Sequence, residues 1–152
     1  MNFPHQIKKI LIVCKANFCR SPVAMATLKD MLGPDYEVSS RGMINFFKNS
    51  MDPRSLKFLE SKNIKPFFHT PRILSRRDVQ NFDLIILLDF EVYELFTKKY
   101  KTFSNKAFIF NCLDDTVITA DPVKYDEEKY FQIMNNIHDL CKKWADNIHK
   151  VN

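Results

Sequence analysis

Glycine and long apolar runs are both scarce in this sequence of 152 residues. Only Gly33 and Gly42 occur, and the longest strictly apolar stretches, Ile10 to Cys14 and Leu84 to Leu88, are five residues each. Neither stretch can cross a bilayer or form the apolar part of an export signal. The expectation is therefore a cytoplasmic protein with no membrane partner. Cysteine is sparse as well: residues 14, 19, 112 and 141 have neither the paired spacing of a disulfide framework nor a complete set of zinc ligands. In a reducing compartment such thiols stay free. A basic tract is also missing. The net charge of +5 is spread over scattered pairs such as Lys8-Lys9, Arg76-Arg77 and Lys98-Lys99. Pairs of this kind are solvated faces, which argues against a nucleic-acid partner and for a small acidic one. With no repeat, linker or low-complexity segment, residues 1–152 read as one domain.

Strand-like and helix-like stretches alternate along the chain. Ile7 to Val13 is a nearly continuous β-branched run, suited to a strand buried on both faces. Val23 to Leu32 reads as a helix, with Pro22 in its first turn and Gly33 as its C-terminal cap. Tyr36 to Ser40 is a short strand, and Asp52-Pro53 launches a helix over Arg54 to Lys62. Ser75 and Asp78 form a capping-box pair. Asp83 to Leu88 is the clearest buried strand, Asp89 caps a helix reaching about Lys99, and Ala107 to Phe110 is a fourth strand. Tyr130, Met134, Ile137, Cys141, Trp144 and Ile148 form one apolar stripe on a helix over Glu127 to His149. That stripe makes Cys141 a core residue, and Cys112, just past a strand, reads the same way. The pattern predicts a parallel α/β sheet covered by helices on both faces, with its ligand at the carboxyl ends of the strands.

The first strand leads directly into Cys14-Lys15-Ala16-Asn17-Phe18-Cys19-Arg20-Ser21-Pro22, a cysteine separated by five residues from Arg-Ser. A loop between a strand end and a helix start can turn its N–H groups inward as an anion nest, reinforced by the helix dipole. Arg20 supplies a planar fork for two phosphate oxygens. The positive surroundings favour thiolate over thiol at Cys14, which would face the held phosphorus as nucleophile. Ser21 can donate a hydrogen bond to that sulfur, and Asn17 tolerates the left-handed backbone of a tight loop.

These residues resemble the signature of the low-molecular-weight protein tyrosine phosphatases, Cys-x-Gly-Asn-x-Cys-Arg-Ser-Pro. Ser40-Arg41-Gly42, Asp52-Pro53-Arg54, Phe82-Asp83 and Asp121-Pro122 resemble further segments of the family in the same order. The larger tyrosine phosphatases, with a late cysteine and an early acid, fit poorly. The resemblance implies a single doubly wound domain with a four-stranded parallel sheet in the order 2-1-3-4. It implies hydrolysis of phosphotyrosine in a protein, or of a small aryl phosphate, through a phosphocysteine on Cys14. In that scheme Arg20 and the loop residues Lys15, Ala16, Asn17, Phe18 and Cys19 hold phosphate, and Asp121 is the general acid and base ahead of Asp114 and Asp115. Asn17, Ser40 and His69 would brace the loop. Cys19 would form a reversible disulfide with Cys14. No metal or organic cofactor is implied, and inorganic phosphate is expected as a product inhibitor.

The chain departs from the family in two places. Ala16 replaces a glycine, which would cost about 1 kcal/mol if that position needs positive φ. After Asp121-Pro122 come Val123 and Lys124, with Tyr125 one step later than the family's pocket aromatics. Phe46 and Phe47 are candidates for the opposite wall. Alternatives on the same fold are a phosphoarginine phosphatase, against which the bulky Phe18 argues, and an arsenate reductase, which needs a resolving pair that Cys112 and Cys141 do not supply. A weakly catalytic anion-binding module is the alternative from another class.

Overall fold

In a computed structural model describing residues 2–152, four parallel strands form one sheet in the order β2-β1-β3-β4. The elements are β1 (Lys9–Cys14), α1 (Arg20–Leu32), β2 (Glu37–Gly42), α2 (Pro53–Ser61), α3 (Arg76–Asn81), β3 (Leu84–Leu87), α4 (Phe90–Lys99), β4 (Ala107–Ile109) and α5 (Glu127–Lys150). Turns of 3-10 helix over Lys101–Lys106 and Phe110–Leu113 flank β4. Among the described residues, no helix is long and apolar enough to cross a membrane.

The continuous apolar character of β1 is explained by burial on both sides. Ile10, Ile12 and Cys14 enter one core with Leu84 and Ile86 of β3, beneath α1, α2 and α5. Leu11 and Val13 enter the other with Ile85 and Leu87, beneath α3 and α4. Each fully buried side chain of this size contributes roughly 1.5–3 kcal/mol. The stripe on α5 supplies Tyr130, Met134, Ile137, Cys141, Trp144 and Ile148 to the first core, and the Trp144 indole donates to the Phe110 carbonyl at 2.8 Å. Cys141 is fully buried, which pushes its thiol pKa up, and its Sγ lies 3.6 Å from the Ala24 carbonyl.

Local signals set the element ends. The Asp52 carboxylate accepts from the Arg54 amide at the start of α2, both halves of the Ser75/Asp78 capping box are made, and Asp89 accepts from the Val92 amide at 2.8 Å. Gly33, at φ 88°, ends α1. The strands run one or two residues off the expected limits. β1 starts at Lys9 because the Lys8 and Lys9 amides are taken by the Asp83 carboxylate, and β2 continues to Gly42, paired with Cys14.

This topology positions the site. From β1 the chain moves to β2 on one side and later returns to β3 on the other. Cys14 therefore ends the central strand at the switch point, where the carboxyl edge of a parallel sheet opens into a crevice.

Candidate active site

Residues 14–21 leave β1 and enter α1 without a gap, and Asn17 organises the turn. Its φ of 57° is a left-handed conformation that asparagine tolerates better than most residues. All its polar groups are used. The backbone amide donates to Cys14 Sγ (3.2 Å), and Nδ2 donates to Ser21 Oγ (2.7 Å) and Ser40 Oγ (2.9 Å). Oδ1 accepts from the Arg72 amide (3.0 Å), and the backbone carbonyl meets His69 Nε2 (2.8 Å). Burial and the neighbouring Arg41 hold the His69 pKa below the usual histidine value, so the ring is neutral and Nε2–H is the donor. Ser21 Oγ accepts from Asn17 and lies 3.0 Å from Cys14 Sγ, so its proton is free to be given to that sulfur. The sulfur thus has the Asn17 amide and the Ser21 hydroxyl within hydrogen-bond distance.

The condition under which Ala16 would be strained, a positive φ, is not met. The non-glycine residues with positive φ are Gln6, Asn17 and Asn63 among those described, so Ala16 keeps an ordinary backbone and its neighbour makes the turn. Glycine is needed across the loop instead. A Cβ on Gly42 would lie 2.9 Å from the Ala16 carbonyl carbon and 3.0 Å from Asn17 N and Lys15 O. The Met43 and Ile44 amides follow Gly42 directly and donate to the Cys14 and Lys15 carbonyls.

Arg20 is the first residue of α1 and is 2% exposed. Its Nη1 is bound to the Asp89 carboxylate and to the Thr119 carbonyl (2.8 Å), while Thr119 Oγ1 donates to Leu88 O (2.7 Å). Burial works against the Arg20 charge, but Cys14 and Asp89 outweigh it and raise the pKa above the usual arginine value. Asp89 has two functions: Oδ1 caps α4 and Oδ2 aims Arg20. Only the cap was legible in the sequence. The second function had one signal, an acid immediately beyond the carboxyl end of a buried strand.

A cleft of about 250 Å³ opens over this loop. Its floor is Cys14, Lys15, Ala16, Phe18, Cys19 and Arg20; its walls are Ile44 and Phe46 on one side and Asp121, Val123 and Lys124 on the other. Phe18 and Phe46 pack with ring centroids 4.9 Å apart. Asp121 is exposed at the rim, and its Oδ1 accepts from the Val123 amide at 3.2 Å. Two of the expected wall residues lie elsewhere. Phe47 is 93% exposed, since Phe46 takes the inward position beside Phe18, and Tyr125 turns outward, with Lys129 Nζ 5.7 Å from its ring centroid. Ile44 fills a wall position that sequence reasoning missed; nothing in its local pattern separates it from a loop residue. Asp114 is bound to Lys143 and Thr116, which hold its pKa down at about 2, and Asp115 is exposed away from the cleft. Burial pushes the Cys19 thiol up to about 12, and its Sγ lies 3.8 Å from Asp52 Oδ2. Cys112 is half-buried, with its pKa also raised by burial. Among the described residues, no three His, Cys, Asp or Glu side chains are grouped to hold a metal ion.

The model of the low molecular weight phosphotyrosine protein phosphatase family matches residues 9–152. The chain belongs to that family. The low molecular weight protein-tyrosine-phosphatase Wzb of Escherichia coli K12 is 26% identical over 136 residues, covering 90% of this chain and 92% of Wzb. The crystal structure of the tyrosine phosphatase Wzb from Escherichia coli K30 with sulphate superposes with a TM-score of 0.87 at 20% identity, over 94% of this chain and 99% of that one. The YwlE arginine phosphatase from Geobacillus stearothermophilus has the same fold, with a TM-score of 0.85 at 22% identity over 94% of each chain. In this low molecular weight phosphatase, as its sequence implied, the site sits at the switch point of a 2-1-3-4 sheet.

Proposed function

We propose that this phosphatase hydrolyses phosphotyrosine or a small aryl phosphate through a phosphocysteine on Cys14. The observation that carries the reading is the sulfur itself. Cys14 Sγ accepts from the Asn17 amide and lies 3.0 Å from the Ser21 hydroxyl, in a cleft that Arg20 and Asp121 also line. The phosphoryl group would rest in the loop, its oxygens on the inward amides and on the donors of Arg20 not engaged by Asp89 and Thr119. The thiolate attacks phosphorus as the P–O bond to the leaving group breaks, and Asp121 gives its proton to the departing phenolate oxygen. Asp121, now a carboxylate, takes a proton from water. That water attacks phosphorus, the S–P bond breaks, and phosphate and thiolate are released. No metal or organic cofactor enters either step.

An aryl group fits the walls. Phe18, Phe46, Ile44 and Val123 are apolar, and Asp121 is the carboxylate among the lining residues. Lys15 and Lys124 also line the cleft, and their charge would oppose the cationic guanidinium of a phosphoarginine. The four cysteines are free thiols, which suits action on phosphoproteins in a reducing compartment such as the cytoplasm.

Acid quench of a reaction in progress, followed by peptide mapping, tests the route: phosphate is expected on the peptide containing Cys14. Asp121→Asn is expected to lose about 10²–10⁴-fold in kcat with phenyl phosphate and much less with p-nitrophenyl phosphate. Equal losses with both esters would remove Asp121 from the role of acid.

A further inference from the structure

The acid stands on an exposed loop, yet general acid catalysis requires the carboxyl to stay within hydrogen-bond reach of the leaving oxygen. The structure holds a device that meets this need. Arg54, in the first turn of α2, extends its guanidinium to the loop that follows Asp121. Nη1 donates to the Tyr125 carbonyl (2.8 Å) and Nη2 to the Val123 carbonyl (3.0 Å). The same guanidinium is fixed from behind by Asp52, through Nε to Oδ1 (3.1 Å) and Nη2 to Oδ2 (2.9 Å), and it lies over the Tyr130 ring, 4.0 Å from the centroid. Asp52 in turn belongs to the anion loop: its amide donates to the Phe18 carbonyl (3.0 Å), and the Cys19 thiol points to its carboxylate. On the far side, Val123, whose carbonyl Arg54 holds, gives its own N–H, one Cα away, to Asp121 Oδ1.

We propose that Arg54 is a positioning residue that ties the acid loop to the anion loop and, by fixing the backbone of Val123, orients the Asp121 carboxyl for proton transfer. One continuous path then runs from Phe18 and Cys19 through Asp52, Arg54 and Val123 to Asp121. With Oδ1 occupied by the Val123 amide, Oδ2 carries the proton that the leaving group receives. The planar fork is essential. A lysine keeps a cation beside Asp52 but cannot hold two carbonyls and a carboxylate in one plane.

The inference rests on the phosphatase reading, and its test separates the two. Arg54→Lys is expected to lower kcat with phenyl phosphate about tenfold more than with p-nitrophenyl phosphate, a share of what a general acid contributes. Inhibition by inorganic phosphate should be unchanged. In an Asp121→Asn background the same substitution should add no further leaving-group dependence, because its effect passes through that carboxyl. Amide hydrogen exchange gives a readout independent of turnover: Val123 should exchange faster in Arg54→Lys while the amides of β1 keep their protection. Equal losses with the two esters, or additive losses in the double variant, would overturn the positioning role and leave the phosphatase reading intact. Failure of the folded wild type to hydrolyse either ester would strike the phosphatase reading, and an unchanged Val123 exchange rate would strike the tether.

Discussion

Gly42→Ala adds one methyl group and no charge, yet the loop that cradles the anion should not survive it unchanged. The new carbon would meet the Ala16 carbonyl carbon at 2.9 Å and Asn17 N and Lys15 O at 3.0 Å, closer than carbon approaches such atoms. All three belong to main chain, so no side chain can swing away. β2 cannot retreat easily either, because it is paired with β1 from Lys9 to Cys14. The loop must move by several tenths of an ångström, carrying the amides proposed to hold the phosphate. Overpacking of this kind costs about 1–3 kcal/mol. For a chain of this size that lowers Tm by roughly 3–10 °C. The catalytic loss should be larger than the stability loss suggests, since a displacement of about 1 Å can cost on the order of 10²-fold in rate. We expect kcat/KM with p-nitrophenyl phosphate to fall about tenfold or more, and phosphate to inhibit more weakly. Gly33→Ala is the control. Its Cβ meets nothing within 4 Å, so strain at φ 88° should destabilise it by about 1 kcal/mol without changing kinetics. A Gly42→Ala enzyme with wild-type kinetics and phosphate inhibition would refute the reasoning.

Two further outcomes follow from the same geometry. The His69 pKa is lowered by burial and by Arg41, so the unfolded chain binds a proton more readily than the native one in the window below the ordinary histidine value of about 6.5. Stability should therefore fall as pH drops through that window, and His69→Gln should flatten the dependence of the urea midpoint on pH; an unchanged slope would contradict the neutral brace. Burial holds the Cys19 thiol at about 12, so alkylation near neutral pH should label Cys14 and spare Cys19, and phosphate should protect Cys14. Mass mapping that finds Cys19 modified first would reverse the assignment.

The sequence showed most where a local rule acts alone. The buried run of β1, the stripe on α5, and the capping residues Asp52, Ser75 and Asp89 are set by short-range chemistry, and the structure has each of them. Spacing also brought Cys14, Ser21 and Arg20 into one loop, because a strand end and a helix start leave little freedom between them. Contacts between distant segments were less legible. Only its place just beyond a buried strand marks Asp89 as a partner for Arg20, and nothing near Thr119 announces that its carbonyl shares the same nitrogen. Phe46 and Phe47 are adjacent and chemically identical, so only the register of the loop decides which one meets Phe18. Whether Ala16 would be strained was left open by the sequence for a related reason. A motif shows which residue types occupy a turn, whereas the φ at each position depends on its neighbours, and here Asn17 takes the left-handed conformation.

The central claim is that Cys14 carries the phosphoryl group between substrate and water. Stopped-flow hydrolysis of p-nitrophenyl phosphate by the wild type and Cys14→Ser, without added metal, tests it most directly. A burst of nitrophenolate matching the enzyme concentration, then steady turnover, is expected from the wild type, with neither phase in the variant. Steady turnover that persists in Cys14→Ser, or a folded wild type that binds phosphate and releases no nitrophenolate, would contradict it.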